Sequence, residues 1–155
     1  MFCLRIRWFN YVDPSWTQDN LLSVLQDGYD DCRDVEAFWA GVFSSGSIPQ
    51  IPLYTTLRPH LEAVVRTQED DENRNSEFLA VFFLSGWKTT IDGKRVVSNE
   101  ELRSLIIEGS DRFQSNILWR IDRFSRKQEE WSEDLVEFLR NVWPKQKSLR
   151  TSKMS

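Results

Sequence analysis

The chain has 155 residues, a length suited to a domain with one substantial core. Hydrophobic residues make up 40% and charged residues 28%, and seven Trp with ten Phe argue against a disordered chain, which is poor in such residues. A formal net charge of −4 argues against a broadly basic surface for nucleic acid or anionic membrane, while leaving room for a local basic patch.

Six Gly and five Pro favour helices over a turn-rich β architecture. Cys3 and Cys32 form no CxxC pair, and no disulfide framework is expected. The opening MFCLRIRWF is interrupted by Arg5 and Arg7 and lacks a signal peptide's apolar run and cleavage site. No stretch approaches the roughly 18 continuous apolar residues that a membrane span requires. No membrane partner is expected, and the chain reads as cytoplasmic.

In chain order, the first predicted element runs from Leu4 to Val12 and stops at Asp13-Pro14, since the residue before a proline disfavours helix. Ser15 or Thr17 is a candidate cap for a second helix carrying Leu21, Leu22, Val24 and Leu25, closed by Gly28. Asp30, Asp31 and Asp34 suit the positive end of a third helix. Its apolar residues Val35, Phe38, Trp39, Val42 and Phe43 recur at i, i+3, i+4, i+7, i+8. Ser44–Pro52 is a loop by composition. A fourth helix carries Leu53, Tyr54, Leu57, Leu61, Val64 and Val65, and Pro59 inside it should kink or restart it. Gln68–Asn75 is polar, charged and without periodicity, which predicts a solvated linker.

Ser76–Trp87 is the most hydrophobic stretch, with seven apolar residues in succession. Periodicity does not separate a buried strand from a helix surrounded by others, but helices on either side favour a central helix. Asp92-Gly93 predicts a turn. Ser98 and Glu101 match a capping box opening a helix through Leu102, Leu105 and Ile106, which ends at Gly109. The last third carries two stripes, one of Phe113, Ile117, Leu118, Ile121 and Phe124, the other of Trp131, Leu135, Val136, Leu139, Val142 and Trp143. They stay in phase at about 100° per residue, so one long helix and a helix pair fit equally. Pro144 ends the pattern, and 145–155 is a basic polar tail. The whole predicts an all-α fold, an irregular multi-helix bundle or short α-solenoid-like array of about seven helices. One helical domain is expected over 1–144.

The single histidine, His60, has no nucleophile among its sequence neighbours and reads as a helix-surface or partly buried residue rather than a general base. One His and two distant Cys fall short of the ligand set of a structural zinc site. There is no glycine-rich phosphate loop, GxSxG elbow or paired-histidine metal motif. The acids Glu69-Asp70-Asp71-Glu72 and Glu129-Glu130 lack the spacing of a calcium loop. No catalytic residue, cofactor or metal is therefore predicted, and the chain is not expected to be an enzyme.

Trp39, Trp131 and Trp143 lie on apolar stripes, and Trp87 ends a buried run, so all four read as core. Trp119 differs, because it falls about 100° or more from the nearest residues of its helix's apolar stripe. A second helical layer could cover it, or it is an exposed anchor for a partner. Arg120, Arg123 and Lys127, at i, i+3 and i+7, share one side of that helix. With Arg126 and the tail lysines they form the one basic concentration in the chain. A phosphate-binding stripe is one reading. A solvated flank paired with Glu129, Glu130 and Glu133 is the favoured one. Trp119, Arg120, Arg123 and Lys127 are the candidate partner-binding residues.

The blocks DVEAFWAGVF, IPLYTTLRPHLEAVV, NILWRIDRF and EEWSEDLVEFLRNVWPKQKSLRTSKMS together resemble the helical C-terminal region of large bacterial anti-phage defence proteins of the sirtuin-like-domain type. The resemblance rests on Glu36, Trp39 and Gly41 on one helix and on Trp143, Pro144, Lys145, Thr151 and Ser155 at the end, and it covers the chain from about Trp16 onward. It implies a non-enzymatic interaction or regulatory module that meets a protein partner or other domains of a larger protein. The effector chemistry of such proteins lies in domains outside this sequence, so no catalytic residue carries over. Similar proteins continue into further helices after the Thr-Ser stretch, which predicts that this chain is a piece of a longer one. The alternative is a nucleic-acid-contacting helical module using the basic stripe and the tail.

Overall fold

The computed structural model describes residues 5–26, 32–45, 48–67, 73–127 and 132–145. Among them the protein is all-α apart from one two-stranded hairpin. The chain divides into two compact units, 1–60 and 61–155, and the division falls inside the fourth helix.

In the first unit, α1 (Ile6–Val12) and α2 (Pro14–Asn20) are separated by a single residue, Asp13. Asp13 is the N-cap of α2: its carboxylate accepts a hydrogen bond from the Trp16 backbone N–H at 2.9 Å, and Pro14 takes the first helical position. The expected caps Ser15 and Thr17 lie inside the helix instead. Thr17 is fully buried, and its hydroxyl donates to the Asp13 carbonyl at 2.9 Å. The leucine-rich stretch after Asn20 is a 3₁₀ turn, Leu22–Leu25, rather than a continuation of α2. Gly28 lies outside the described residues. Helix α3 (Cys32–Ser45) follows, burying Phe38 and Val42, while Trp39 and Phe43 stack at 5.9 Å and stay half-buried. It takes in Ser44 and Ser45 from the stretch expected as loop, and a cis Ile51–Pro52 bond precedes the next helix. Helix α4 (Leu53–Thr67) runs through Pro59 without restarting. Leu53, Tyr54 and Leu57 on its first half are buried.

In the second unit, Leu61 and Val65 of α4 are buried. Helix α5 (Asn73–Lys88) begins earlier than expected, taking in Asn73–Asn75, and settles the most hydrophobic stretch as helix. Residues 68–72 of the expected linker lie outside the described residues. Phe78, Leu79, Ala80, Phe82, Phe83, Leu84 and Trp87 are all buried and take up most of the circumference of α5, while Glu77, Val81 and Ser85 on the remaining side are half-buried and Lys88 is exposed. A hairpin follows, β1 (Thr90–Ile91) paired antiparallel with β2 (Lys94–Arg95). Its turn residues Asp92 and Gly93 have φ of 51° and 75°, the left-handed pair a two-residue hairpin turn needs.

Helix α6 (Asn99–Glu108) has the expected capping box, with the Ser98 hydroxyl accepting from the Glu101 N–H at 3.2 Å and the Glu101 carboxylate accepting from the Ser98 N–H at 2.8 Å. Gly109 ends it with ordinary negative φ, so its role is space rather than conformation. A Cβ there would stand 2.7 Å from Phe113 Cδ1 and 2.8 Å from the Leu105 carbonyl oxygen. Ser110 then caps α7 (Asp111–Lys127) by accepting from the Phe113 N–H at 3.1 Å. The Gln114 side chain donates back to the Ile106 carbonyl at 2.7 Å, satisfying one of the free acceptors at the end of α6.

Helix α7 lies along α5, with the Phe83 and Phe113 rings edge to face at 6.4 Å. Phe113, Ile117 and Ile121 are buried, as the stripe predicts; the Phe124 side chain is not among those described. Whether α7 continues into α8 (Ser132–Glu137) turns on 128–131, outside the described residues along with Trp131. Helix α8 passes into a π-helical turn, Phe138–Val142, in which the Trp143 N–H donates to the Phe138 carbonyl at 2.8 Å. That turn shifts the phase of the last stripe. Phe138, Val142 and Trp143 are buried, whereas Val136 and Leu139, expected in the core, are exposed. At a five-residue repeat Phe138 and Trp143 face the same way, with rings 6.2 Å apart, and Leu139 is carried out.

On the surface of this unit Arg66 hydrogen-bonds Glu108, and Ser104 donates to the same carboxylate at 3.2 Å. The Arg66 hydrogen bond, more than any other influence, holds the Glu108 carboxyl below its ordinary range. A depressed folded-state value stabilises above the unfolded value, and that contribution is lost as pH falls through the folded one. Thermal melts of the wild type and Glu108→Gln should therefore differ near neutrality, converge in acid, and converge also in high salt because the pair is exposed. Gly109→Ala should cost about 1–3 kcal/mol, since the Leu105 carbonyl has no freedom to retreat, and urea unfolding measures it.

Candidate functional site

Trp119 is the sequence-predicted candidate on α7, and its position follows from the helix's geometry. Phe113, Ile117 and Ile121 turn one side of α7 into the core, which sends a residue two positions from both Ile117 and Ile121 to the opposite side. Trp119 is 50% exposed. The guanidinium carbons of Arg120 and Arg123 each lie 5.1 Å from its ring centroid, within cation–π range. Arg120 is half-buried, and among the described residues its Nε–H has no acceptor. Arg123 is exposed. Arg126, the other nearby cation, pairs with Asp122 at 3.1 Å one turn back rather than standing free. Lys127 closes α7, and its side chain is not among those described, nor are Glu129 and Glu130. The structure thus brings together three of the four candidates, as an indole with two guanidiniums resting on it.

The other tryptophans divide differently from the sequence expectation. Trp87 is buried, and its indole N–H donates to Asn99 Oδ1 at 2.7 Å. The Arg95 guanidinium lies 4.3 Å over that ring, donates to the Trp87 carbonyl at 2.6 Å, and forms an ion pair with Glu137. This cluster ties the hairpin and the end of α5 to α8, and each member has a structural partner. Trp143 is buried as expected, and Trp39 is only half-buried, with its ring 6.3 Å from that of His60. His60 is half-buried too, beside that indole. Among the described residues no group of three or more His, Cys, Asp or Glu is placed to hold a metal ion. No helix among them is long and apolar enough to cross a membrane.

Sequence reasoning did not single out one feature of the first unit. A cleft of about 490 Å³ lies between α1 and the turn before α4, lined by Arg7, Trp8, Tyr11, Gln50, Ile51 and Pro52 among others. Trp8 and Tyr11 are exposed on its α1 wall. The available signal was the density of aromatic residues in a helix of only seven residues, where the core claims Ile6 alone.

No protein-family model, curated protein or solved structure matches the chain.

Because Trp119 lies outside the core, Trp119→Ala should change stability by no more than about 1 kcal/mol. Phe113→Ala, two turns away on the buried side, should cost about 3–5 kcal/mol. Chemical denaturation of the two variants separates a surface role from a packing role.

Proposed function

We propose that the chain is a non-enzymatic helical interaction or regulatory module, a piece of a bacterial defence protein, engaging a protein partner or other domains of a larger protein through the Trp119 face of α7. The observation that carries the reading is the half-exposed indole with Arg120 and Arg123 resting against it. Trp and Arg are the side chains most enriched among residues that dominate protein–protein binding energy. Both arginines sit within one turn of Trp119 on a regular helix, so little ordering remains to oppose binding. The likeness of the four sequence blocks to the helical end of anti-phage defence proteins supplies the context.

The same grouping supports a second reading, contact with nucleic acid, because an exposed indole flanked by guanidiniums also stacks on bases. Salt separates the two. Binding to single strands should weaken with a log–log slope of about −0.7 per neutralised phosphate, whereas a contact dominated by a buried indole should not.

The test places a photo-crosslinking amino acid at Ser115, exposed one turn before Trp119. The expected result is a discrete protein adduct in phage-infected cells that disappears in Trp119→Ala and weakens in Arg123→Glu. An adduct indifferent to both changes, or crosslinking to nucleic acid alone, overturns the reading.

A further inference from the structure

The geometry points to a second site, on the first unit and independent of the α7 face: the α1 cleft is a docking groove for an extended, proline-rich peptide segment with acidic residues beside it. One wall is a face of α1, where Arg7 and Tyr11 follow at i and i+4 with Trp8 alongside, together with Pro14 at the start of α2. The other wall is the turn Gln50-Ile51-Pro52-Leu53, some forty residues on in sequence. At about 490 Å³ the cleft has the size of a ligand site, and Trp8, Tyr11 and Ile51 on its rims are exposed.

The chemistry of the lining selects the occupant. Trp8 is 57% exposed and Tyr11 is 87% exposed, while Ile51 is exposed on the opposite wall. The Trp8 ring is steadied edge-on by Phe9 at 5.2 Å, so the indole is presented rather than loose. Exposed aromatic residues lining a groove are the surface that proline rings dock against in known peptide recognition. The polar residues of the groove among those described are Arg7, Asn10, Tyr11 and Gln50, all with hydrogen-bond donors, and among the described residues no carboxylate lines it. A polyproline II strand is the matching ligand, because its prolines have no N–H to offer and its carbonyls are all unpaired.

Among the described residues Arg7 is the one charged residue lining the groove, and it is exposed. It complements an acidic neighbour on the ligand. A nucleotide fits the same aromatic walls less well, because a phosphate chain carries several charges and would meet only one guanidinium. The length agrees too: α1 has seven residues, and at about 1.5 Å per residue it spans three residues of polyproline II at about 3.1 Å each.

The experiment titrates the full chain into a fluorescein-labelled peptide in which two glutamates precede a Pro-Pro-Leu-Pro-Pro run, read by fluorescence polarisation. Saturable binding is expected, weakened at least tenfold when the prolines are replaced by alanine and severalfold when the glutamates become lysines. Tyr11→Ala, at a side chain almost fully in solvent, should weaken binding at least tenfold while leaving circular dichroism and the thermal midpoint unchanged. Arg7→Glu should reverse the preference between glutamate- and lysine-flanked peptides. Equal binding of the alanine peptide, no saturable binding up to about 1 mM, indifference to Tyr11→Ala, or tighter binding of labelled single-stranded RNA or of adenosine monophosphate each overturns the proposal.

Discussion

The second unit depends on one helix that turns most of its circumference inward. Phe82 and Phe83 are fully buried on adjacent positions of α5, Leu79, Leu84 and Trp87 widen the buried arc, and the side carrying Glu77, Val81, Ser85 and Lys88 reaches solvent. Each such side chain contributes roughly 1.5–3 kcal/mol by leaving water, a gain available only if other elements surround the helix. The neighbouring elements meet that demand. Helix α7 supplies Phe113 and Ile117, α6 supplies Leu102, Leu105 and Ile106, and the π-helical turn brings Phe138 edge-on to Trp87 at 5.9 Å. The glycine at the α6–α7 junction follows from the same demand. Phe113 sits so close behind Gly109 that a methyl group there would strike both the ring and the Leu105 carbonyl.

A polar clamp completes the arrangement where α5 ends. Arg95 on the hairpin covers the Trp87 ring, hydrogen-bonds the Trp87 carbonyl and pairs with Glu137, whose other oxygen accepts from Asn99 at 3.4 Å. The hairpin itself is too small to contribute a hydrophobic face, with strands of two residues each. Its purpose in the fold is to aim Arg95. The left-handed Asp92-Gly93 turn reverses the chain tightly enough for Arg95 to return to Trp87 in the last turn of the helix before it.

What could be read from the sequence was local. The Ser98–Glu101 capping box is a contact between residues three apart, so residue type and spacing suffice to find it, and the α7 stripe is likewise a property of a single helix. Trp119 was placed on the outer side of α7 by the same periodicity. Readings failed where a non-local or irregular feature decided the outcome. Asp13 caps α2 from a position that pattern assigns to the end of α1, because Pro14 belongs to both accounts. The last stripe presumes a constant rotation per residue, yet the π turn inserts an extra residue, burying Phe138 and exposing Val136 and Leu139. The α1 cleft escaped notice because its second wall, Gln50–Leu53, is remote in sequence. The periodicity of Ser76–Trp87 does not separate strand from helix, and its helical neighbours favour helix, which is what forms.

The aromatic residues left in water acquire meaning against this background. The second unit has interior places for Phe82, Phe83, Phe113, Phe138 and Trp87, so an indole on the outer side of α7 has no packing task to perform. Leaving it half-exposed forgoes part of the gain from burial, and the two guanidiniums recover some of that by covering the ring. The same covering limits how the ring moves. An indole held in one orientation by its own helix loses less freedom when a partner closes over it than a mobile side chain would. Trp8, braced by Phe9 at the α1 cleft, follows the same rule. In both units an exposed indole has a neighbour holding it in place, and that is the common physical reason for reading these two surfaces as places of contact.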